Sequence, residues 1–208
     1  MNVVSTGWSA KWTPKGDVGQ SNPWGVTADK VVNVERGRYY TISFKIKSTL
    51  KGTVTNEETK EEKTVDSKHI LFKAYDQKSK GEPSVNFTSI SGATSGGYIT
   101  VKNGDDYKTV TATVKIPDTR KAYGGDVMGL KFALGAFVKT FPEEVNMKGT
   151  VYVKDLKVIA GDQYTVKFTD GSQSQAKYVN AGSQVTPASF SKKGYTLAGF
   201  KNKATGAM

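Results

Sequence analysis

The side chains in this sequence that can do recognition chemistry are its aromatics and the polar groups beside them. The 208 residues hold three tryptophans (Trp8, Trp12 and Trp24), one histidine (His69) and no cysteine. An indole or phenol offers a flat apolar face for the axial hydrogens of a sugar ring, while nearby amide, carboxylate and ammonium groups fix the hydroxyls. Trp24 stands between Pro23 and Gly25 at a strand entrance, where an aromatic is hard to bury, and is the leading platform. Trp8 and Trp12 share one face of an extended segment; they either plug the end of a core or stack on a ligand. In the segment Lys68 to Asp76, His69, Leu71, Lys73 and Tyr75 share a face, which either binds or lies under a loop. Tyr123, in a glycine-rich loop, and Lys131, on the outward side of the next segment, complete the candidates.

Covalent chemistry finds fewer supports. There is no Gly-x-Ser-x-Gly elbow, cysteine nucleophile, metal-ligand spacing or phosphate-cradling glycine loop. Any two of Asp76, Glu82, Asp126, Glu143 and Glu144 could meet as a glycosidase pair, but all lie in loop-like stretches, and a non-catalytic chain is expected. His69, being alone, reads as a hydrogen-bonding group rather than a base. Without cysteine there is no disulfide framework and no thiolate zinc site. No apolar run approaches the roughly 20 residues of a membrane helix, so no membrane insertion is expected.

The net charge of +11 is spread over single lysines such as Lys45, Lys47, Lys73, Lys102, Lys115, Lys131 and Lys157. That pattern suits solubility or attraction to acidic cell-wall polymers, and argues against nucleic acid. No signal-peptide core follows Met1, and the chain is expected to be an internal piece of a longer one.

The elements that must position these groups are strands. From Val32 to Thr49, Val32 and Val34 precede a turn at Glu35-Arg36-Gly37, and Tyr40, Ile42, Phe44 and Ile46 follow at two-residue spacing; the stretch reads as a β-hairpin with one apolar face. Leu50 to Ser67 is dense in Glu, Lys and Thr and reads as a solvated excursion with Asn56-Glu57 at its tip. Ile70, Phe72 and Ala74 face inward in the next strand. Val85 to Lys102 gives two short strands joined by a Gly/Ser/Thr turn, and includes an Asn86-Phe87-Thr88 tripeptide of the N-glycosylation form. Asp105 and Asp106 either help hold calcium or serve the turn. Val110, Ala112, Val114 and Ile116 form an inward row, as do Met128, Leu130, Phe132 and Leu134. Gly129, Ala133 and Gly135 either leave a trough on the outer side or accommodate a bulge. A half-wet antiparallel sheet requires a second layer, and a change of unit falls at Gly161-Asp162.

The pattern V-x-V-x-x-G-x-x-Y-x-x-S-F, carried by Val32, Val34, Gly37, Tyr40, Ser43 and Phe44, resembles the central strands of carbohydrate-binding modules of the family 4, 9 and 22 type. Gly149 to Ala160 looks like their closing strand, with Asp155 matching one of two usual acids and Lys154 in place of the other. The tail resembles the Listeria–Bacteroides repeat, through Tyr164 to Phe168, Asp170-Gly171, Gly182, Pro187, Lys193-Gly194-Tyr195 and Gly199-Phe200, with Phe200 where that family has tryptophan.

The resemblance implies an all-β chain: a jelly-roll-like β-sandwich over residues 1–160, then a small β-grasp-like repeat module over 161–208 that is expected to stop short at Met208. It implies a monomeric, extracellular or cell-surface module of a Gram-positive protein. Such a module binds a polysaccharide or oligosaccharide (mannan or xylan favoured, starch also fitting) and targets a fused glycoside hydrolase, its catalytic domain, to it. The competing reading is a protein-binding adhesin module. A structural calcium is implied, with Asp155 as a ligand, although the chain lacks the acid box that such modules carry near their N-terminus.

Overall fold

The computed structural model describes residues 2–12, 23–118, 123–145, 147–170, 173–180, 185–191, 193–194 and 198–200. The chain divides into two compact units, Met1–Ala160 and Gly161–Met208.

The first unit is a sandwich of two antiparallel sheets. One sheet runs β1 (Asn2–Trp12), β12 (Val151–Ala160), β3 (Tyr39–Ser48), β10 (Lys108–Lys115), β8 (Phe87–Ser91). The other runs β2 (Thr27–Asn33), β11 (Val127–Ala133), β6 (Ser67–Asp76), with β7 (Ser84–Val85) and β9 (Tyr98–Lys102) sharing the far edge of β6. The inward rows meet in one core: Phe44 of the first sheet lies edge-on to Phe72 and Phe132 of the second, each at 4.9 Å. β4 (Gly52–Thr55) and β5 (Glu62–Val65) form a separate hairpin closed by Asn56, whose side chain accepts hydrogen bonds from the Glu58 and Thr59 amides. That excursion is not wholly solvated, because Leu50 and Val65 at its base are buried in the core.

The expected hairpin from Val32 to Thr49 is not one. β2 pairs with β11 and β3 pairs with β10 and β12, so the turn at Glu35 to Arg38 carries the chain from one sheet to the other. The alternation was right about which side chains are buried, and both rows point into the same core from opposite layers. Periodicity fixes a strand's buried face but not its neighbour. The pair of short strands after Val85 behaves alike, with β8 in one sheet and β9 in the other.

β12 carries a bulge. Val151 and Val153 point inward, the register shifts between Lys154 and Lys157, and Leu156, Val158 and Ala160 resume the inward row. Asp155 takes up the extra residue at φ 56°.

In the second unit, β13 (Gln163–Thr169) and β14 (Ser174–Asn180) form a hairpin. Phe168 is buried with Phe200 edge-on at 4.9 Å, and Lys177 Nζ donates to the carbonyls of Thr186 and Pro187.

Candidate binding site

The outer face of the β2–β11–β6 sheet collects most of the candidate side chains. Cross-strand register sets Tyr75 beside Gly129 and Lys73 beside Lys131, which in turn lies beside Asp29. The absence of a side chain at Gly129 is essential to this face, since a Cβ there would sit 2.1 Å from Tyr75 Cζ. The trough expected at Gly129 is therefore filled by the chain's own phenol ring, and Tyr75 is 2% exposed. Its hydroxyl donates to Asp29 Oδ1 at 3.3 Å. Burial, reinforced by the Asp29 and Glu82 carboxylates, pushes that hydroxyl well above the ordinary phenol range. Tyr75 thus supports the face from below and is not a platform for a sugar, because its ring is covered.

Both lysines on this face are held. Lys131 bridges Glu82 and, at 3.6 Å, Asp29, with its ammonium 4.7 Å from the Tyr75 ring centroid. Burial opposes its charge, but the hydrogen bond to Glu82 and the charge of Asp29 outweigh that and raise it above the usual lysine value. Lys73 donates to the Glu82 carbonyl at 2.8 Å and lies 5.5 Å from the Trp24 ring centroid. Burial lowers its pKa, only partly opposed by Glu82.

Trp24 belongs to a one-turn 3-10 helix, Pro23–Gly25, just before β2. It is 44% exposed and borders a groove of about 420 Å³ together with Leu71, Lys73, Asn86, Phe87 and Ser95. The groove lies where the edge of β6 is interrupted. β9 pairs with β6 as far as Leu71 and β7 takes over at Ala74. Between them the Phe72 amide donates to the Gly97 carbonyl at 2.9 Å. Gly97 has φ 85°, and a Cβ there would meet the Phe72 carbonyl at 2.2 Å, so only glycine lets this loop come so close.

His69, farther along the same face, is not open. Its ring stacks on Phe141 at 3.6 Å between centroids, its Nδ1 is hydrogen-bonded to Glu144 Oε1, and its amide donates to Glu144 Oε2 at 2.9 Å. The wholly buried Lys68 reaches Glu144 at 3.6 Å and donates to the Gly135 carbonyl at 3.1 Å. Burial pushes the Lys68 ammonium down in pKa, with Glu144 pulling the other way. His69 therefore fastens the loop after β11 to the sheet.

Three other candidates take different places. Trp8 lies inward, stacked on Phe132 at 5.9 Å, which is the core-plug alternative. Tyr123 is 1% exposed, with its hydroxyl donating to the Val127 carbonyl, so its ring is covered rather than presented as a platform. Asp155 pairs with Lys45 at 3.4 Å, and no three His, Asp or Glu side chains among the described residues converge as a metal site. The residues present there do not fit a calcium ion. Trp12 ends β1 opposite Val151, and its side chain lies outside the described residues.

Four of the five acids weighed as a catalytic pair are separately engaged, three of them in ion pairs: Glu82 with Lys131, Glu143 with Lys63, Glu144 with Lys68 and His69. Asp76 is buried. Burial, the largest influence on it, pushes its carboxyl up, but hydrogen bonds from the Ser79 hydroxyl and the Gly124, Lys78 and Ser79 amides outweigh this and hold it below the usual range.

Sequence reasoning missed Asn86 and Ser95 as groove residues, and Glu82 and Glu144 as organisers of the face. Asn86 had a signal, a polar residue between two strand-like runs, but it reads equally as a glycosylation acceptor.

No family model matches this chain, and no curated protein matches it. Among solved structures it is similar to one described as "CBM4 structure and function", at 20% identity and a TM-score of 0.47, over 76% of this chain and 77% of that one.

Proposed function

We propose that Met1 to Ala160 is a non-catalytic carbohydrate-binding module that holds a polysaccharide segment in the Trp24 groove. The observation that carries this is an exposed indole at the rim of a groove that also presents an ammonium (Lys73), an amide (Asn86) and a hydroxyl (Ser95). An apolar ring face with a few fixed polar groups is the composition sugar recognition requires, whereas a protein-docking surface would be broader and more apolar. Trp24 stacks on the ring, Lys73 and Asn86 orient hydroxyls, and Lys73 is itself held by the Glu82 carbonyl and the Tyr75 ring.

In this reading the glycan is a β-linked plant polysaccharide, mannan or xylan before starch. The module belongs to a secreted or cell-surface protein with a fused glycoside hydrolase, and tethering raises the local concentration of substrate rather than the intrinsic rate. Gly161 to Met208 acts as an accessory repeat of the Listeria–Bacteroides kind.

Affinity electrophoresis in gels containing mannan, xylan, β-glucan or starch tests the proposal. Retardation in one gel that Trp24→Ala abolishes is the expected outcome. Free migration of both proteins in every gel would overturn it and direct the search to a protein partner.

A further inference from the structure

The opposite outer face, on the β1–β12–β3–β10–β8 sheet, has a different chemistry. Lys11, Tyr152 and Lys47 line up across three strands, and beside them Lys154, Lys45 and Thr109 make a second row. A third row holds Lys157, Ser43, Thr111 and Ser91. Neighbouring strands lie about 4.8 Å apart, so the ammonium and hydroxyl groups form a closely spaced flat array.

This array is costly to the fold. Lys154 and Lys45 stand directly opposite each other, an arrangement that destabilises a sheet. Asp155 offsets part of it from the bulge, 3.4 Å from Lys45, and Asp105 and Asp106 lie at the rim beside Lys47, Lys102 and Lys108. The lysines are also held in place by rings. Lys154 and Lys47 sit 4.1 and 4.7 Å from the Tyr107 centroid, and Lys47 and Lys11 sit 5.5 and 5.7 Å from that of Tyr152. Cations placed over aromatic faces are fixed without being neutralised.

We propose that this face is a second binding site, for a linear polysaccharide that carries carboxylates, a polyuronate. Charge complementarity calls for a polyanion. The tyrosine faces lie under ammonium groups, so the open rings on which single-stranded nucleic acid stacks are not offered. No arginine lies in these strands to grip phosphate bidentately. What remains presented is ammonium interleaved with Thr and Ser hydroxyls, which matches a chain of alternating carboxylates and hydroxyls. The site is independent of the Trp24 groove, being on the other sheet.

The test uses the whole chain and polygalacturonate as probe, with binding followed by affinity electrophoresis and calorimetry. The expected result is retardation by polygalacturonate that weakens about tenfold or more between about 50 and about 200 mM salt. The triple variant Lys45→Gln, Lys47→Gln, Lys154→Gln should lose about tenfold or more at low salt. It should also keep any retardation by the neutral glycan that Trp24→Ala abolishes, and an unchanged circular dichroism spectrum shows that it is folded. Absence of binding at low salt would overturn the proposal, as would undiminished binding by the triple variant. Single-stranded DNA bound as tightly as polygalacturonate at the same salt would overturn the assignment to uronate.

Discussion

The two outer faces of the sandwich both carry lysines, and they secure them in different ways. On the β2–β11–β6 face, Lys131 and Lys73 lie over the Tyr75 and Trp24 rings as well, but Lys131 is also paired with the Glu82 and Asp29 carboxylates and Lys73 with the Glu82 carbonyl, and Tyr75 is buried against Gly129. On the β12–β3 face, Lys47 and Lys154 lean on tyrosine rings, and Lys154 opposes Lys45 across the strands. A carboxylate partner consumes a cation's charge locally and makes the surface rigid; a ring partner positions the cation and leaves its charge for something else. The first arrangement suits a shaped groove whose specificity comes from Trp24, the second a flat surface whose affinity comes from charge.

High pH should break the core of the sandwich and, through Tyr75, the first face with it. The Tyr75 and Tyr123 hydroxyls, and less strongly that of Tyr40, have pKa values raised by burial above the ordinary 10.0. In the unfolded chain these phenols lose their protons near 10.0, so above it the folded state holds more protons and stability falls as pH rises. Their contribution is intact below pH 10.0 and is lost progressively above it. Phenolate absorbance for these groups should therefore appear together with loss of the circular dichroism signal; phenolate without unfolding would show that they are not buried.

Glu144→Ala should be the most damaging single change at neutral pH, costing about 3–5 kcal/mol in urea denaturation, because it strands the buried ammonium of Lys68. Adding Lys68→Met should restore much of that loss. On the other face, Asp155→Asn keeps a residue tolerant of positive φ and removes only an exposed ion pair, so a change within about 0.5 kcal/mol is expected. A similar cost for both would erase the distinction between the faces.

Gly129→Ala should cost about 1–3 kcal/mol, since the methyl displaces the Tyr75 ring. It should also weaken glycan retardation, because Lys73, which lines the groove, rests over the displaced Tyr75 ring. The smallest effect expected is a gain: Lys154→Gln should stabilise by roughly 0.2–0.5 kcal/mol in the same urea experiment by relieving its opposition to Lys45.

The buried rows were legible in the sequence because alternation registers burial directly. Tyr40 to Ile46, Val110 to Ile116 and Met128 to Leu134 all face the core as read. Pairing was not legible, because a row that faces the core looks the same from either sheet; Val32 and Tyr40 are separated by one short turn and lie in opposite layers. Trp24 could be placed at a rim because Pro23 and Gly25 flank it. Tyr75 could not be separated from a platform residue, since its burial depends on the missing side chain at Gly129 in another strand, whose place its ring fills. The Lys68–Glu144 contact spans 76 positions along the chain, and composition holds no trace of it.

The place of β12 in its sheet also sets the order of assembly. Among the described residues β1 finds its strand partner only in β12, and β3 takes β12 as one of its two neighbours. During synthesis the earliest strand of the sandwich must wait, unpaired, until the latest has emerged, because local contacts offer it nothing to close on. Its interval of exposure is thus longer than that of any other strand in the sandwich, and the exposed valines Val3 and Val4 fall within it.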